Sequence, residues 1–414
     1  MNAFSWLFVA ALAAATLTRL WLARRQVAHV RAHRGAVPPG FAEAIPLAAH
    51  QKAADYTIAK MRLAMLDVLV GAAVLLALTL GGGLRWLSQA WAGVLEAGGL
   101  WHGTALIASV VVLLSALDLP VAAYRTFGIE QRFGFNRMSV GLFLADLAKG
   151  AALGAALGLP LLVLVLWLMQ RMGEAWWLWV WLAWMGFNLL VLLAYPTFIA
   201  PLFNRFTPLS DAALAERIQR LLSRCGFRSS GLFVMDGSRR SAHGNAYFTG
   251  FGAAKRIVFF DTLLARLAPP EVEAVLAHEL GHYRRHHVWK RVALLAAMSL
   301  ALLWVLGRLI DAPAFYAGLR AGAPDPAMGL LLFVLVAPAF TFFLQPLASL
   351  YSRRHEFEAD AYAAANASAA ELAKALVKLT QDNAATLTPD PVHSAFYDSH
   401  PPAARRIARL QALA

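Results

Sequence analysis

Apolar residues run through this chain in long blocks. Seven of them, near 3–23, 63–82, 104–124, 140–169, 176–200, 292–311 and 328–349, reach about the 20 residues a helix needs to cross a bilayer. The first starts Met1-Asn2-Ala3-Phe4 with no basic stretch and ends at Arg24-Arg25 with no small-residue cleavage site, which reads as an anchor and not a removed signal. Between the fifth and sixth blocks the pattern changes. Asp211 to Leu222 has the spacing of a short amphipathic helix. Gly231–Met235, Asn245–Phe251 and Arg256–Phe260 are strand-like runs separated by Gly and Ser, as in a small antiparallel sheet. Pro269-Pro270 then open a helix from Glu271 onward. No internal repeat is visible. The pattern divides the chain into a five-span region, 1–200, a polar region, 201–291, a pair of spans, 292–349, and a second polar region, 350–414.

Composition agrees with a membrane protein: 59% hydrophobic and 15% charged, against about 45–50% and about 25% in soluble chains. The formal charge of +13 raises the question of a nucleic-acid partner, and its distribution answers against one. Segments 24–62, 125–138, 201–291 and 349–414 hold 7, 3, 14 and 7 Lys and Arg, whereas the alternate loops hold one each, Arg85, Arg171 and Arg320. The positive-inside rule puts the N-terminus outside and the C-terminus and both polar regions in the cytoplasm. Trp176-Trp177-Leu178-Trp179-Val180-Trp181 fits an interfacial aromatic belt at the outer end of the fifth span. The single cysteine, Cys225, excludes an intramolecular disulfide framework and a four-cysteine metal site and reads as a packing residue. Asp67, Asp118, Asp146 and Lys149 lie within spans. They predict either a hydrated chamber between the helices or side chains that snorkel from helix ends.

The helix after Pro270 carries His278-Glu279-Leu280-Gly281-His282. Residues four apart share a helix face, so both imidazoles reach one ion. Glu279 is placed to take a proton from a metal-bound water, which zinc makes acidic, with a pKa of about 7. His286 and His287 extend the cluster beside Arg284 and Arg285 and read as surface histidines. A catalytic zinc needs a third protein ligand. The segment Arg353-Arg354-His355-Glu356-Phe357-Glu358-Ala359-Asp360 offers one. Glu356 and Asp360 are i,i+4 and point the same way, so that one can bind zinc while the other accepts the outer N–H of a ligand histidine. Glu358 faces away.

These segments resemble the type I CAAX prenyl endopeptidases, seven-span zinc proteases that cut after lipid-modified cysteines. The resemblance runs over nearly the whole chain: Phe127-Gly128-Ile129-Glu130, Phe133-Gly134-Phe135-Asn136, Pro201 through Leu209, Gly237 through Ser241, Asn245-Ala246-Tyr247-Phe248, Lys255-Arg256-Ile257-Val258, Asp261-Thr262-Leu263, the histidine helix, the Glu356–Asp360 run and Ser399-His400-Pro401-Pro402. It implies a mostly α fold, with seven transmembrane helices around an intramembrane chamber capped by an α+β gluzincin-type protease domain. It implies His278, His282 and Glu356 as ligands of one zinc ion, catalytic Glu279, and Asp360 behind a ligand histidine. Asn245 would hold substrate backbone, and His400 with Arg406 would steady the tetrahedral intermediate. The partners implied are a peptide or protein substrate, lipid-modified ones included, and the bilayer. The Ala, Leu and Arg richness points to a bacterial homologue in the inner membrane, where protein prenylation is uncommon, so a quality-control protease without prenyl specificity is the main alternative. A site-two type protease buries its motif within a span, but here Glu271, Glu273, Arg284 and Arg285 share the motif helix, and such a helix is costly to embed in lipid. An inactive protease-like transporter has no need of the intact Glu279.

Overall fold

The computed structural model describes residues 1–249 and 256–413. The end of the expected strand, Gly250 and Phe251, and the recognised Lys255 lie outside the described residues. Each apolar block is helical: Ala3–Ala32, Leu47–Leu78, Leu100–Ala123, Val140–Arg171, Trp176–Ala194, His287–Leu309 and Pro326–Thr341. Several helices outrun their block. The first has 30 residues and is about 45 Å long, longer than the about 30 Å hydrocarbon core of a bilayer. Its last turns carry Arg25 to the buried Asp390 at 2.9 Å, and Gln26 accepts the Asp390 backbone N–H at 2.7 Å. The N-terminal helix is thereby tied to the C-terminal segment. The seventh span continues through a 3-10 turn, Phe342–Leu344, into the helix Gln345–Asn366, so one rod joins the apolar core to the carboxylate run.

The four ionisable residues within spans divide into two pairs. Asp67 and Asp118 line one cavity of about 260 Å³ between the second, third and seventh helices. Asp146 instead receives both Nε and Nη2 of Arg240, at 2.8 and 3.0 Å, and Lys149 donates to the Leu202 carbonyl at 2.9 Å. These last two fasten the fourth helix to the polar region.

The sheet has four strands, β1 (Phe206–Pro208), β2 (Gly231–Met235), β3 (Ala246–Thr249) and β4 (Arg256–Phe260), in the order β1-β2-β4-β3. It is mixed and not purely antiparallel as the sequence suggested: β2 and β4 run parallel, while β1–β2 and β3–β4 are antiparallel. The reason lies in β4, where Ile257, Val258 and Phe259 are all buried. A run apolar on both faces belongs in the middle of a sheet, which leaves β3 at an edge. Ala212–Arg224 packs Leu214, Ile218 and Leu221 onto a core shared with Ile257, Phe259 and Leu276. Asp211 caps that helix by accepting the Leu214 N–H at 3.0 Å. This core is the platform on which the histidine helix rests.

Candidate metal centre

The histidine helix spans Pro269–Arg284. Proline suits its first turn because the missing N–H has no partner there in any case. Glu271 accepts the Ala268 N–H at 2.7 Å and closes that end. Val272, Leu276 and Leu280 pack into the core, while His278, Glu279 and His282 line open space beside the helix. Gly281 allows the helix Gln345–Asn366 to approach: a Cβ there would lie 2.9 Å from Ala359 Cα. That close contact brings Glu356 between the two imidazoles. Its Oε2 lies 3.4 Å from His278 Nε2, its Oε1 lies 3.3 Å from His282 Nε2, and the two Nε2 atoms are 3.2 Å apart. One ligand atom from each of the three residues falls within 4.8 Å of the others. Glu356 is buried, and its Oε2 has no hydrogen-bond partner. Two imidazole nitrogens and an unsatisfied buried carboxylate oxygen converging on one point are a donor set for a divalent cation such as zinc, so the residues fit the metal.

Asp360 sits behind this trio. Its Oδ1 lies 2.8 Å from His278 Nδ1. Arg406 grips Asp360 as a fork, with Nε 2.9 Å from Oδ2 and Nη2 2.6 Å from Oδ1, while its Nη1 lies 3.7 Å from Glu356 Oε2. Arg406 is only 8% exposed. It comes from the short helix Ala403–Gln411 that begins after Pro401-Pro402. Burial opposes a charge on His278, but the bonds to Asp360 and Glu356 outweigh it and hold the imidazole up at about 9. Burial pushes the Glu279 carboxyl above its ordinary range. His400, with its side chain 65% exposed, reaches to 3.5 Å from Glu356 Oε1.

A cavity of about 410 Å³ is bounded by Asn245, His278, Glu279, Glu356, His400 and Arg406 among others. A second, of about 380 Å³, meets it at Glu279, Glu356 and His400 and includes His282, Tyr247 and Phe248. The other five residues singled out in the sequence, Asn245, Glu279, Asp360, His400 and Arg406, therefore gather around the trio. The backbone of β3 forms part of the wall. Phe260 N–H donates to Asn245 O at 3.0 Å. Bonded and unbonded pairs alternate along an antiparallel ladder, so the paired Tyr247 and Val258 are bonded to each other, and the Ala246 and Phe248 N–H groups point off the free edge. The Asn245 Oδ1 accepts the Ala246 N–H at 2.8 Å.

Two expectations need correction. His287 is not a surface histidine: it is 1% exposed, its Nδ1 lies 2.9 Å from His282 Nδ1, and its Nε2 lies 3.1 Å from Glu358 Oε2. Glu358 accordingly faces the site's flank and not away from it. The cause is local. The helix ends at Arg284, and His286, exposed and in the left-handed conformation at φ 57°, breaks it so that the next helix starts at His287, whose ring meets His282. Extending the i,i+4 pattern past Arg284 cannot reveal that turn. A polar cluster with no local signature in the sequence forms where Tyr56 donates to Glu130 Oε1 at 2.5 Å and His243 Nε2 lies 3.6 Å from Glu130 Oε2. The recognised segments around Phe135 and Ser241 meet beside it, with Ala242 N–H donating to Phe135 O at 3.1 Å.

Residues 26–205 match the family model for the CAAX prenyl protease N-terminal region with five membrane helices, and residues 208–414 match peptidase family M48. CAAX prenyl protease 1 homolog of Arabidopsis thaliana is 36% identical over 309 residues, which cover 74% of this chain and 72% of the relative. CAAX prenyl protease 1 of Saccharomyces cerevisiae is 35% identical over 72% of this chain and 69% of its own length. The crystal structure of S. mikatae Ste24p superposes with a TM-score of 0.92 at 28% identity, covering 99% of each chain.

Proposed function

The chain belongs to the CAAX prenyl protease family of M48 membrane metallopeptidases, and from that premise we propose that it binds a single zinc ion through His278, His282 and Glu356 and hydrolyses extended peptides with Glu279 as general base. The observation that supports this reading is the convergence of the three ligand atoms beside Glu279, in a cavity bounded by a free strand edge. Zinc held there would polarise the scissile carbonyl and make water acidic enough to attack at neutral pH.

The protein's own residues do the rest. Asp360 fixes the His278 ring through Nδ1 and leaves Nε2 free for the metal. Arg406 fixes Asp360. Glu279 accepts the proton of the attacking water and returns it to the leaving amine, and burial, by raising its proton affinity, makes it a better acceptor for the first task. The β3 edge recruits the substrate by strand addition, which exposes the scissile bond and depends little on side-chain identity. Asn245 adds a side-chain contact to substrate backbone. His400 at the rim donates to the oxyanion as it forms, and Arg406 Nη1 adds positive charge behind Glu356.

The polar regions face the cytoplasm, the seven helices span the bilayer, and the substrates include lipid-modified peptides. The test is metal analysis of the purified protein, with cleavage of farnesylated and plain versions of one peptide, with and without a chelator. The expected result is stoichiometric zinc and chelator-sensitive cleavage, faster on the farnesylated form. Equal rates on both would favour the quality-control reading. Cleavage that survives complete removal of metal would overturn the mechanism.

A further inference from the structure

We propose that His287 and Glu358 act as a second outer brace of the metal centre, fixing the ring of His282 so that its Nε2 lone pair points at the metal. The proposal rests on the zinc-ligand reading and adds two positioning residues to it.

The geometry sets the direction of the protons. The Glu358 carboxylate only accepts, so the contact of 3.1 Å between its Oε2 and His287 Nε2 places a proton on that nitrogen. A neutral His287 then has its lone pair on Nδ1, 2.9 Å from His282 Nδ1. His282 must donate across that contact, which puts its own proton on Nδ1 and leaves the Nε2 lone pair free. That is the nitrogen 3.3 Å from Glu356 Oε1. The relay is itself held in place. Glu358 Oε1 accepts from Arg354 Nε at 3.2 Å, and the His287 ring stacks on His355 with centroids 3.9 Å apart and planes at 10°.

Position on the helix gives the brace its purpose. His278 is mid-helix, and Asp360 holds its Nδ1. His282 lies in the last turn before Arg284, where helices fray, and among the described residues its Nδ1 meets His287 and not a carboxylate. The turn at His286 delivers His287 to do that work from the next helix. The two ligand histidines are thus braced from opposite sides, one by Asp360 with Arg406 and the other by His287 with Glu358. Glu356, Glu358 and Asp360 all lie on one helix.

The test uses full-length protein in detergent and reads zinc affinity by competition with a chromogenic chelator, together with the visible spectrum of the cobalt(II) form. His287→Ala should weaken zinc binding about 10–100-fold, the usual effect of losing such an outer partner, and shift the cobalt bands. Glu358→Gln should move both readouts in the same direction by less, while the Tm of the zinc-stripped protein stays at the wild-type value. His287→Gln, whose amide oxygen can accept from His282 Nδ1, should recover part of the affinity lost in the alanine variant. Wild-type affinity and spectrum in both His287→Ala and Glu358→Gln, alongside loss of zinc in His282→Ala, would reduce His287 to a packing residue. If His282→Ala itself keeps zinc, the ligand assignment fails and not merely the brace. Should His287→Ala fail to fold, Glu358→Gln decides alone, because Glu358 lies at the partly exposed end of the relay.

Discussion

Glu279 lies one residue past a ligand position, lines both cavities that meet at the trio, and is not one of the three converging groups. Glu279→Gln is therefore expected to keep zinc and fold while cleavage falls about 10²–10⁴-fold, the usual share of general acid–base catalysis. Near-wild-type turnover in that variant would mean another base is at work. His278→Ala and Glu356→Ala should both lose zinc, whereas substitution of an exposed histidine such as His286 should not. The proton on His278 adds a pH dependence. With protein neighbours alone its imidazole is held up at about 9, so zinc must displace a proton at neutral pH. Affinity should climb by about tenfold per pH unit as pH rises toward that value. A competition titration that shows no dependence on pH would contradict the sandwich of His278 between Asp360 and Glu356. At this scale the HExxH chemistry was legible because it is local, two histidines and a glutamate within one helical turn. The proposed third ligand was legible only to the choice between Glu356 and Asp360, until the resemblance pointed to Glu356.

Two elements carry the site, and each has a weak point that can be probed. The first is the contact at Gly281, where a Cβ would meet Ala359 Cα at 2.9 Å with backbone on the far side. Gly281→Ala should separate the helices, cost about 1–3 kcal/mol as overpacking does, and lower zinc affinity because Glu356 moves with its helix. Unchanged thermal stability together with unchanged affinity would show the contact to be slack. The second is β3. The Tyr247 N–H faces β4, so proline there breaks the sheet itself and should lower Tm. The Phe248 N–H faces outward, so Phe248→Pro should raise KM more than it lowers Tm, with Phe248→Leu as the control for lost ring packing. The opposite pattern would mean that substrate does not add to this edge. Asn245→Ala should lower turnover with zinc still bound. The existence of these elements could be read from the periodicity of the chain. The sheet order could not, because it depends on which run is covered on both faces.

At the scale of the whole molecule, the residues around the candidate site come from distant parts of the chain: Asn245, the histidine helix, the Glu356 helix and the tail with His400 and Arg406. His400→Ala should lower kcat more than it raises KM, the signature of a group acting in the transition state. A change confined to KM would make it a ground-state contact. Arg406→Ala should do more, since loss of the fork to Asp360 also loosens His278, and zinc affinity should fall with kcat. A reporter at the C-terminus should read cytoplasmic and one near Ala321 external, as the distribution of Lys and Arg requires. The reverse would overturn the orientation. The sequence by itself determined the membrane class, the seven apolar helices and the pairing of His278 with His282 on one helix, two of the three groups that converge in the structure. Hydrophobic block length, charge asymmetry and i,i+4 spacing are short-range properties, and no other part of the chain has to be known to evaluate them. Tertiary structure alone decided that Arg406 grips Asp360, that β4 lies inside the sheet, and that Asp146 anchors Arg240. It alone returned His287 from an expected surface position to the back of His282. The place of β4 depends on which run is covered on both faces, and those of His287 and Glu356 on where one helix stops and how closely the next approaches. A left-handed residue at position 286 and a missing Cβ at position 281 settle those distances only once both helices are packed.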